Sequence, residues 1–122
     1  MPSAQPAQTL STLRFAIGAG SWLAPNLSGK LFGLDPDANP QAAYLGRLFG
    51  VRDFMLGVGV RTGDTASRRL WWQVGIACDV ADAAAGYLAG RNGSLPKHAA
   101  VMVTGTALVA AGLGAAALAA EG

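Results

Sequence analysis

Three arginines and three aspartates lie inside stretches of the sequence that are otherwise apolar. They are Arg14, Arg47, Arg52, Asp53, Asp79 and Asp82. Asp79 and Asp82 are three residues apart, so a helix places both carboxyls on one face. Two carboxyls at this spacing could act as an acid–base pair, with one held protonated by the other, or could bind a proton or a cation. The alternative is a purely structural pairing of these carboxyls with arginine.

Four apolar stretches separated by turn-rich breaks carry these residues. They run over about residues 10–24, 42–60, 70–89 and 99–120. The stretches are long, rich in Ala and Leu and without strand-like alternation, so they predict helices. The last contains no charged residue and matches the ~20 residues that cross a hydrocarbon layer about 30 Å thick. The break over residues 25–41 contains an apolar run, Leu31–Leu34, that we expect to lie along a membrane surface.

The composition of the chain is that of a small integral membrane protein. It is 52% hydrophobic and 13% charged, with a mean hydropathy of +0.34, whereas soluble domains carry roughly 25% charged residues. We therefore predict an all-α fold, a four-helix transmembrane bundle with antiparallel neighbours. It forms a single domain over residues 10–120, after a disordered lead over residues 1–9. A soluble Ala-rich bundle is the competing class, although the last stretch has no polar face beyond Thr104 and Thr106.

The charges and the single cysteine restrict location, partners and cofactors. We expect a multi-pass protein of the cell membrane with cytoplasmic termini, because residues 61–69 hold the densest basic cluster. The scattered net charge of +2 does not favour nucleic acid. Cys78 alone cannot form an internal disulfide, and two carboxyls without a nearby histidine are a weak metal site, so no cofactor or metal is predicted. The expected partners are the lipid bilayer and either a second copy of the chain or other membrane subunits.

Small residues recur at helical spacing beside the ionisable ones. Three stripes result: Arg14, Gly18, Ser21 and Pro25; Gly46, Gly50, Asp53 and Gly57; and Gly75, Asp79, Asp82, Gly86 and Gly90. Helices in lipid associate through close packing at small residues and through polar contacts. The stripes are therefore predicted to face the bundle interior. Bulky residues on the other faces should then contact lipid: Leu48, Val51, Met55 and Leu88.

An unpaired Asp or Arg at the centre of a span costs roughly 2.5–3.5 kcal/mol. The central hypothesis is therefore that the six charged residues form a roughly neutral internal network at mid-membrane depth. Arg14 or Arg47 is the expected partner of Asp79 and Asp82, because guanidinium binds carboxylate in a two-pronged geometry.

Several segments together resemble a known family. They are Leu13-Arg14 with Gly18, Trp22–Pro25, Gly33-Leu34 and Tyr44–Asp53, of which the Gly-Arg-Leu-Phe-Gly-Val-Arg-Asp run is the most specific. From residue 13 to about residue 118 the chain resembles small four-pass integral membrane proteins of unknown function from high-GC bacteria. A second resemblance, through Arg14 and Gly18, is to DoxX-type four-helix proteins. The resemblance implies a membrane bundle and no settled activity.

Three functions are compatible with these features. The first hypothesis is a structural or accessory membrane protein with a buried Arg/Asp network, because no reaction-specific motif is present. The alternatives are a membrane-embedded enzyme for a lipophilic substrate, with Asp79 and Asp82 as acid and base, and a small proton- or ion-coupled carrier. Both alternatives need a cavity that reaches Asp53, Asp79 or Asp82, so its absence would count against both.

Overall fold

The structure, a computed structural model, describes residues 4–121. Within this range it contains five helices and no strand. They are α1 (Ala4–Leu23), α2 (Pro25–Leu31), α3 (Ala42–Gly59), α4 (Thr65–Asn92) and α5 (Lys97–Ala120). The predicted all-α class is confirmed, and each of the four apolar stretches forms a helix, although α1 and α4 begin well before their predicted starts.

The four long helices form two pairs. α1 packs mainly against α3, and α4 packs mainly against α5, while the pairs meet chiefly along α1 and α5. Gly18 of α1 lies against Gly50 of α3, and Gly90 of α4 lies against Ala100 of α5. Further along the pairs, Phe15 of α1 lies against Gly57 of α3, and Gly86 of α4 lies against Thr104 of α5, so both pairs are antiparallel. Contact between α3 and α4 is sparse by comparison.

Small residues set the distance between the paired helices. A Cβ placed on Gly18 would lie 2.6 Å from the carbonyl oxygen of Gly50, and the reverse substitution gives the same distance. On α4, a Cβ on Gly86 would lie 2.9 Å from a methyl carbon of Val103. The predicted stripes therefore face neighbouring helices. The bulky residues predicted to face outward are all exposed: Leu48, Val51, Met55 and Leu88.

A compact apolar cluster closes one end of the bundle. It consists of Leu10, Val60, Trp72 and Ala117, contributed by α1, the end of α3, α4 and α5. Leu10 is only 1% exposed. Because these residues come from all four long helices, the cluster fixes the relative position of the two pairs at this end.

The sequence predicts disorder over residues 1–9, but residues 4–9 are helical, because α1 begins at Ala4. Residues 1–3 lie outside the described residues. Pro6 is tolerated in the first turn, where a backbone N–H has no acceptor within the helix. Ala7 packs against the apolar cluster, and the Ser11 hydroxyl donates a hydrogen bond of 2.9 Å to the Ala7 carbonyl oxygen. Tertiary packing thus orders a segment that its polar composition does not mark as helix.

The first predicted break also contains a helix, α2. Pro25 occupies its first turn, where the fixed φ of proline favours helix. Gly33 ends it with a φ of +86°, and the Leu34 N–H donates to the Gly29 carbonyl oxygen at 2.9 Å. Glycine is favoured at this left-handed position because it has no Cβ.

The second predicted break is shorter than its composition suggests. α4 begins at Thr65, so the two arginines assigned to the loop, Arg68 and Arg69, lie within the helix. The Asp64 carboxylate caps it by accepting a hydrogen bond of 2.9 Å from the Ser67 N–H. This capping signal is present in the sequence and places the start of the helix before the basic cluster.

We predict that Gly18→Ala destabilises the fold by about 1–3 kcal/mol, because the added methyl must push α1 away from the backbone of α3. The matched control is Gly112→Ala on α5, where a Cβ would meet no atom within 4 Å. The control should leave stability unchanged or raise it by up to about 1 kcal/mol through helix propensity. Thermal unfolding of the purified variants measures both effects. Equal unfolding temperatures for the two variants would contradict close packing of α1 on α3.

An ion pair joins the first turns of α4 to the end of α5. The Arg68 Nε donates to Glu121 Oε1 at 2.9 Å, and the two side chains are 33% and 18% exposed. The hydrogen bond from Arg68 is the main reason that the pKa of Glu121 is lowered, and the same bond raises the pKa of Arg68. The pair therefore stabilises the folded chain while Glu121 is ionised.

We predict an acid-dependent loss of this stabilisation. A lowered carboxyl pKa contributes stability that is present above the unfolded value, 4.5, and is lost as the pH falls through the lower folded value. Wild type should therefore unfold at a higher temperature than Glu121→Gln at pH 7, and the difference should shrink below about pH 4.5. Unfolding curves across this range measure it. A difference that grows as the pH falls would contradict the assignment.

Candidate functional site

One arginine stands at the junction of three helices. Arg14 of α1 donates from Nη1 to Asp79 Oδ1 at 3.3 Å and from Nη2 to Asp79 Oδ2 at 2.7 Å. Its Nη1 also donates to Asp53 Oδ1 at 3.2 Å. The three residues are 3%, 5% and 4% exposed for Arg14, Asp53 and Asp79. We call this group the Arg14 triad, and it confirms the predicted internal Arg/Asp network.

The small-residue stripes leave room for the triad. A Cβ on Gly75 would lie 2.9 Å from Arg14 Nη2, so the guanidinium lies over a glycine of α4. Asp79 is one turn further along the same face of α4 and receives both ends of the guanidinium. Asp53 is on the stripe of α3, three residues after Gly50, where α3 closely approaches α1. The close packing of helices and the ion pairs therefore depend on the same faces.

A second ion pair lies beside the triad. Arg52 of α3 donates from Nη1 to Asp82 Oδ1 at 3.2 Å and from Nη2 to Asp82 Oδ2 at 2.5 Å. Both side chains are about one-third exposed, and the guanidinium lies 4.9 Å from the centre of the Phe49 ring. Arg52 and Asp53 are adjacent but project about 100° apart around α3. They consequently bind different partners on α4 and α1.

Arg47 does not join the network, contrary to the prediction. It is exposed, and its Nε donates to the Trp22 carbonyl oxygen at 3.0 Å. Arg47 follows Gly46 of the inward stripe, so its side chain starts about 100° away from that face. The last turn of α1 offers carbonyl oxygens at the negative end of its helix dipole, which favours a cation there.

Because Arg47 lies outside the network, the network contains fewer cations than predicted. Two arginines face three carboxylates, and within the Arg14 triad one guanidinium faces two carboxylates. By formal charge the network therefore holds one carboxyl more than it holds arginines. Asp79 and Asp82 also share no partner, since each is bound at both oxygens by a different arginine.

A cavity of about 850 Å³ lies between the two helix pairs, and the triad forms part of its wall. Its walls are mainly apolar, and its charged lining groups are Arg14, Asp53, Asp79 and Asp82. The apolar cluster that contains Leu10 closes the bundle below. Within residues 4–121, no three His, Cys, Asp or Glu side chains lie together as a metal site would require. The arrangement can therefore hold a largely apolar molecule against a carboxylate-rich floor.

The sequence did not predict the part of the cavity wall that is formed by the segment after α2. This segment follows the end of α2 and lines the cavity with Phe32, Leu34 and Pro36. This segment is positioned by Gly33, where a Cβ would lie 2.7 Å from the His98 ring at the start of α5. The apolar Leu31–Leu34 run was the available signal, but its contact with α5 spans more than sixty residues of sequence. Only the packed chain brings these parts together.

No protein-family model, curated protein or solved structure matches this chain. The resemblance to small four-pass membrane proteins consequently stays a prediction.

We predict that Arg14→Gln destabilises the protein by about 3–5 kcal/mol, because it leaves two buried carboxylates without a cation. Arg47→Gln is the matched control and should cost less than about 1 kcal/mol, since Arg47 is exposed. Adding Asp53→Asn and Asp79→Asn to Arg14→Gln should recover part of the loss. Chemical unfolding of the four proteins measures these differences. Similar losses in the two single variants would contradict a specific role for the triad.

Proposed function

We propose that the protein is a small multi-pass membrane protein that binds a lipophilic small molecule between its helices. The observation that carries this proposal is the apolar cavity that ends on Asp53, Asp79 and Asp82. An enzyme or a carrier that uses these carboxyls on a ligand requires such a cavity. A purely structural or accessory role does not require one.

The outer surface supports a membrane setting. Large apolar side chains are exposed along α3, α4 and α5 away from the cavity: Leu48, Val51, Met55, Val74, Val80, Leu88, Val101 and Leu108. Extended apolar surface of this kind is rare on soluble monomers and typical of a lipid-facing one. Water would have to contact all of these side chains if the chain were a soluble monomer.

Among the described residues, α5 is the one helix that is long and apolar enough to cross a membrane by length and composition alone. Only 17% of its most apolar 18 residues are buried. A helix in the core of a soluble protein would be mostly buried, so this exposure favours contact with lipid.

The other long helices contain charged residues, which lowers their hydropathy. Asp53 and Asp79 are buried and bound to Arg14, and Arg52 binds Asp82, so these charges do not meet the outer surface as isolated ions. Pairing of this kind is the usual arrangement for ionisable groups inside membranes. α3 has 18 residues and spans roughly 27 Å at ~1.5 Å per residue, close to the thickness of a hydrocarbon layer.

The size and lining of the cavity indicate the class of ligand. A volume of about 850 Å³ lies in the range of roughly 300–1,000 Å³ for pockets that hold drug-sized molecules. Apolar walls favour an apolar body, and the carboxylates at one end favour a single polar group. Asp79 and Asp82 each use both oxygens on an arginine. Asp53 is therefore the carboxyl best able to contact the ligand, whether the protein binds, carries or converts it.

A structural role is the second candidate, and the Arg14 triad favours it independently. One guanidinium links α1, α3 and α4, so removal of any member disturbs the packing of three helices. An accessory subunit would need this linkage and no more. The two candidates differ in whether the cavity is occupied.

The cavity predicts saturable labelling by a neutral lipophilic probe. A long-chain alcohol carrying a photoreactive diazirine should label wall residues of the purified protein in mild detergent. Ala85→Phe should reduce this labelling several-fold, because Ala85 lines the cavity. Ala84→Phe is the matched control, since Ala84 lies about 100° around α4 from Ala85 and is not part of the wall. Peptide mass spectrometry locates and quantifies the label.

Two results would contradict the proposal. Uniform labelling of the outer surface, equal in both variants, would leave the structural role as the better explanation. Recovery of the untreated chain in the soluble fraction, without detergent, would contradict the membrane setting.

A further inference from the structure

The polar end of the cavity contains one carboxylate oxygen that the protein does not use. Asp53 is 5% exposed, and its Oδ1 accepts from Arg14. Its Oδ2 accepts no hydrogen bond from the described residues, whereas both oxygens of Asp79 and of Asp82 do accept. Asp53 lines the cavity, and its Oδ2 is not fully buried, so this oxygen is an open acceptor site.

The charge of the surroundings also points to a missing cation. The charged groups on the cavity wall are three carboxylates and one guanidinium, and Arg52 neutralises Asp82 from outside the wall. Arg14 is shared between Asp53 and Asp79, with its better geometry toward Asp79. One negative charge is thus left over, and it lies on the Asp53 side of the triad. With all three carboxyls ionised this excess charge is costly in an apolar interior, so the site favours either a proton on Asp53 or a cationic ligand.

We propose that the ligand of this cavity is a lipophilic monocation, an amine or onium group joined to an apolar body. This inference rests on the proposed binding function and specifies its ligand class. The cationic group lies beside Oδ2 of Asp53, and the apolar body occupies the space between α2, α4 and α5. Most of the wall around this space is apolar, including Phe32, Ala85 and Val103, and its uncharged polar side chains are few.

Other ligand classes fit the charge distribution less well. An anion would meet three carboxylates on the wall and a single arginine that is already bound by two of them. A neutral molecule would fill the space but leave the excess charge uncompensated. A cation without an apolar body would leave most of the cavity wall without contact.

The test compares two probes of the same shape and opposite charge, tetraphenylphosphonium and tetraphenylborate. Equilibrium binding of each to the full chain is measured in an uncharged detergent, with binding to protein-free detergent subtracted. Tetraphenylphosphonium should bind saturably and at least about ten-fold more tightly than tetraphenylborate. Asp53→Asn should weaken its binding by about ten-fold or more, because it removes the charge while keeping the shape.

Two controls make the result specific. Asp37→Asn makes the same chemical change at an exposed carboxyl and should leave binding unchanged. Ala85→Phe should weaken binding of the cation several-fold, since it fills the same space as in the neutral-probe experiment. If Asp53→Asn does not fold, the comparison of the two probes on the wild-type chain and on Ala85→Phe still decides the question.

The outcomes separate this inference from the proposed function. Labelling of the cavity by the neutral alcohol without preference for tetraphenylphosphonium would overturn the cation inference alone, and a proton would then balance Asp53. Absence of both neutral labelling and cation binding would overturn both. Equal cation binding by wild type, Asp53→Asn and Ala85→Phe would place the cation outside the cavity and also overturn the inference.

Discussion

A single buried guanidinium determines how three helices meet. Arg14 binds Asp79 with both of its terminal nitrogens and reaches Asp53 with one of them. Removing a charge from water is costly, and a buried arginine is tolerated only where carboxylates and close backbone packing surround it. The position of α1 relative to α3 and α4 follows from this requirement, and the glycines on the facing stripes permit it.

The triad also divides the bundle into two regions of different character. On the side of the triad toward the start of α1, Leu10 and Trp72 belong to a compact apolar cluster that joins all four long helices. On the opposite side, a cavity of about 850 Å³ lies between the two helix pairs. α2 and the segment after it form the remaining wall of this cavity. A well-packed end gives rigidity, and an open end gives room for a ligand. The carboxylates lie at the boundary, where a bound molecule can reach them.

The same network accounts for the charged residues of α3 and α4 in the membrane setting that we propose. Composition counts Asp53 and Asp79 as charged residues within α3 and α4, but the fold turns both inward onto Arg14. The outer faces of these helices retain residues such as Val51, Met55 and Val80, which are exposed. Hydropathy averages over all faces of a helix, whereas a bilayer would contact only the outer ones.

The sequence by itself determined the helical class, the four long helices, their inward faces and the presence of an Arg/Asp network. These features depend on local periodicity and composition, which a single chain displays directly. It did not determine which arginine binds which aspartate: Arg47 was expected in the network and binds a carbonyl oxygen of α1 instead. Nor did it show α2, the helical start of α1 or the cavity. Those features depend on contacts between distant segments, such as Gly33 with His98, and only the packed fold decides such contacts.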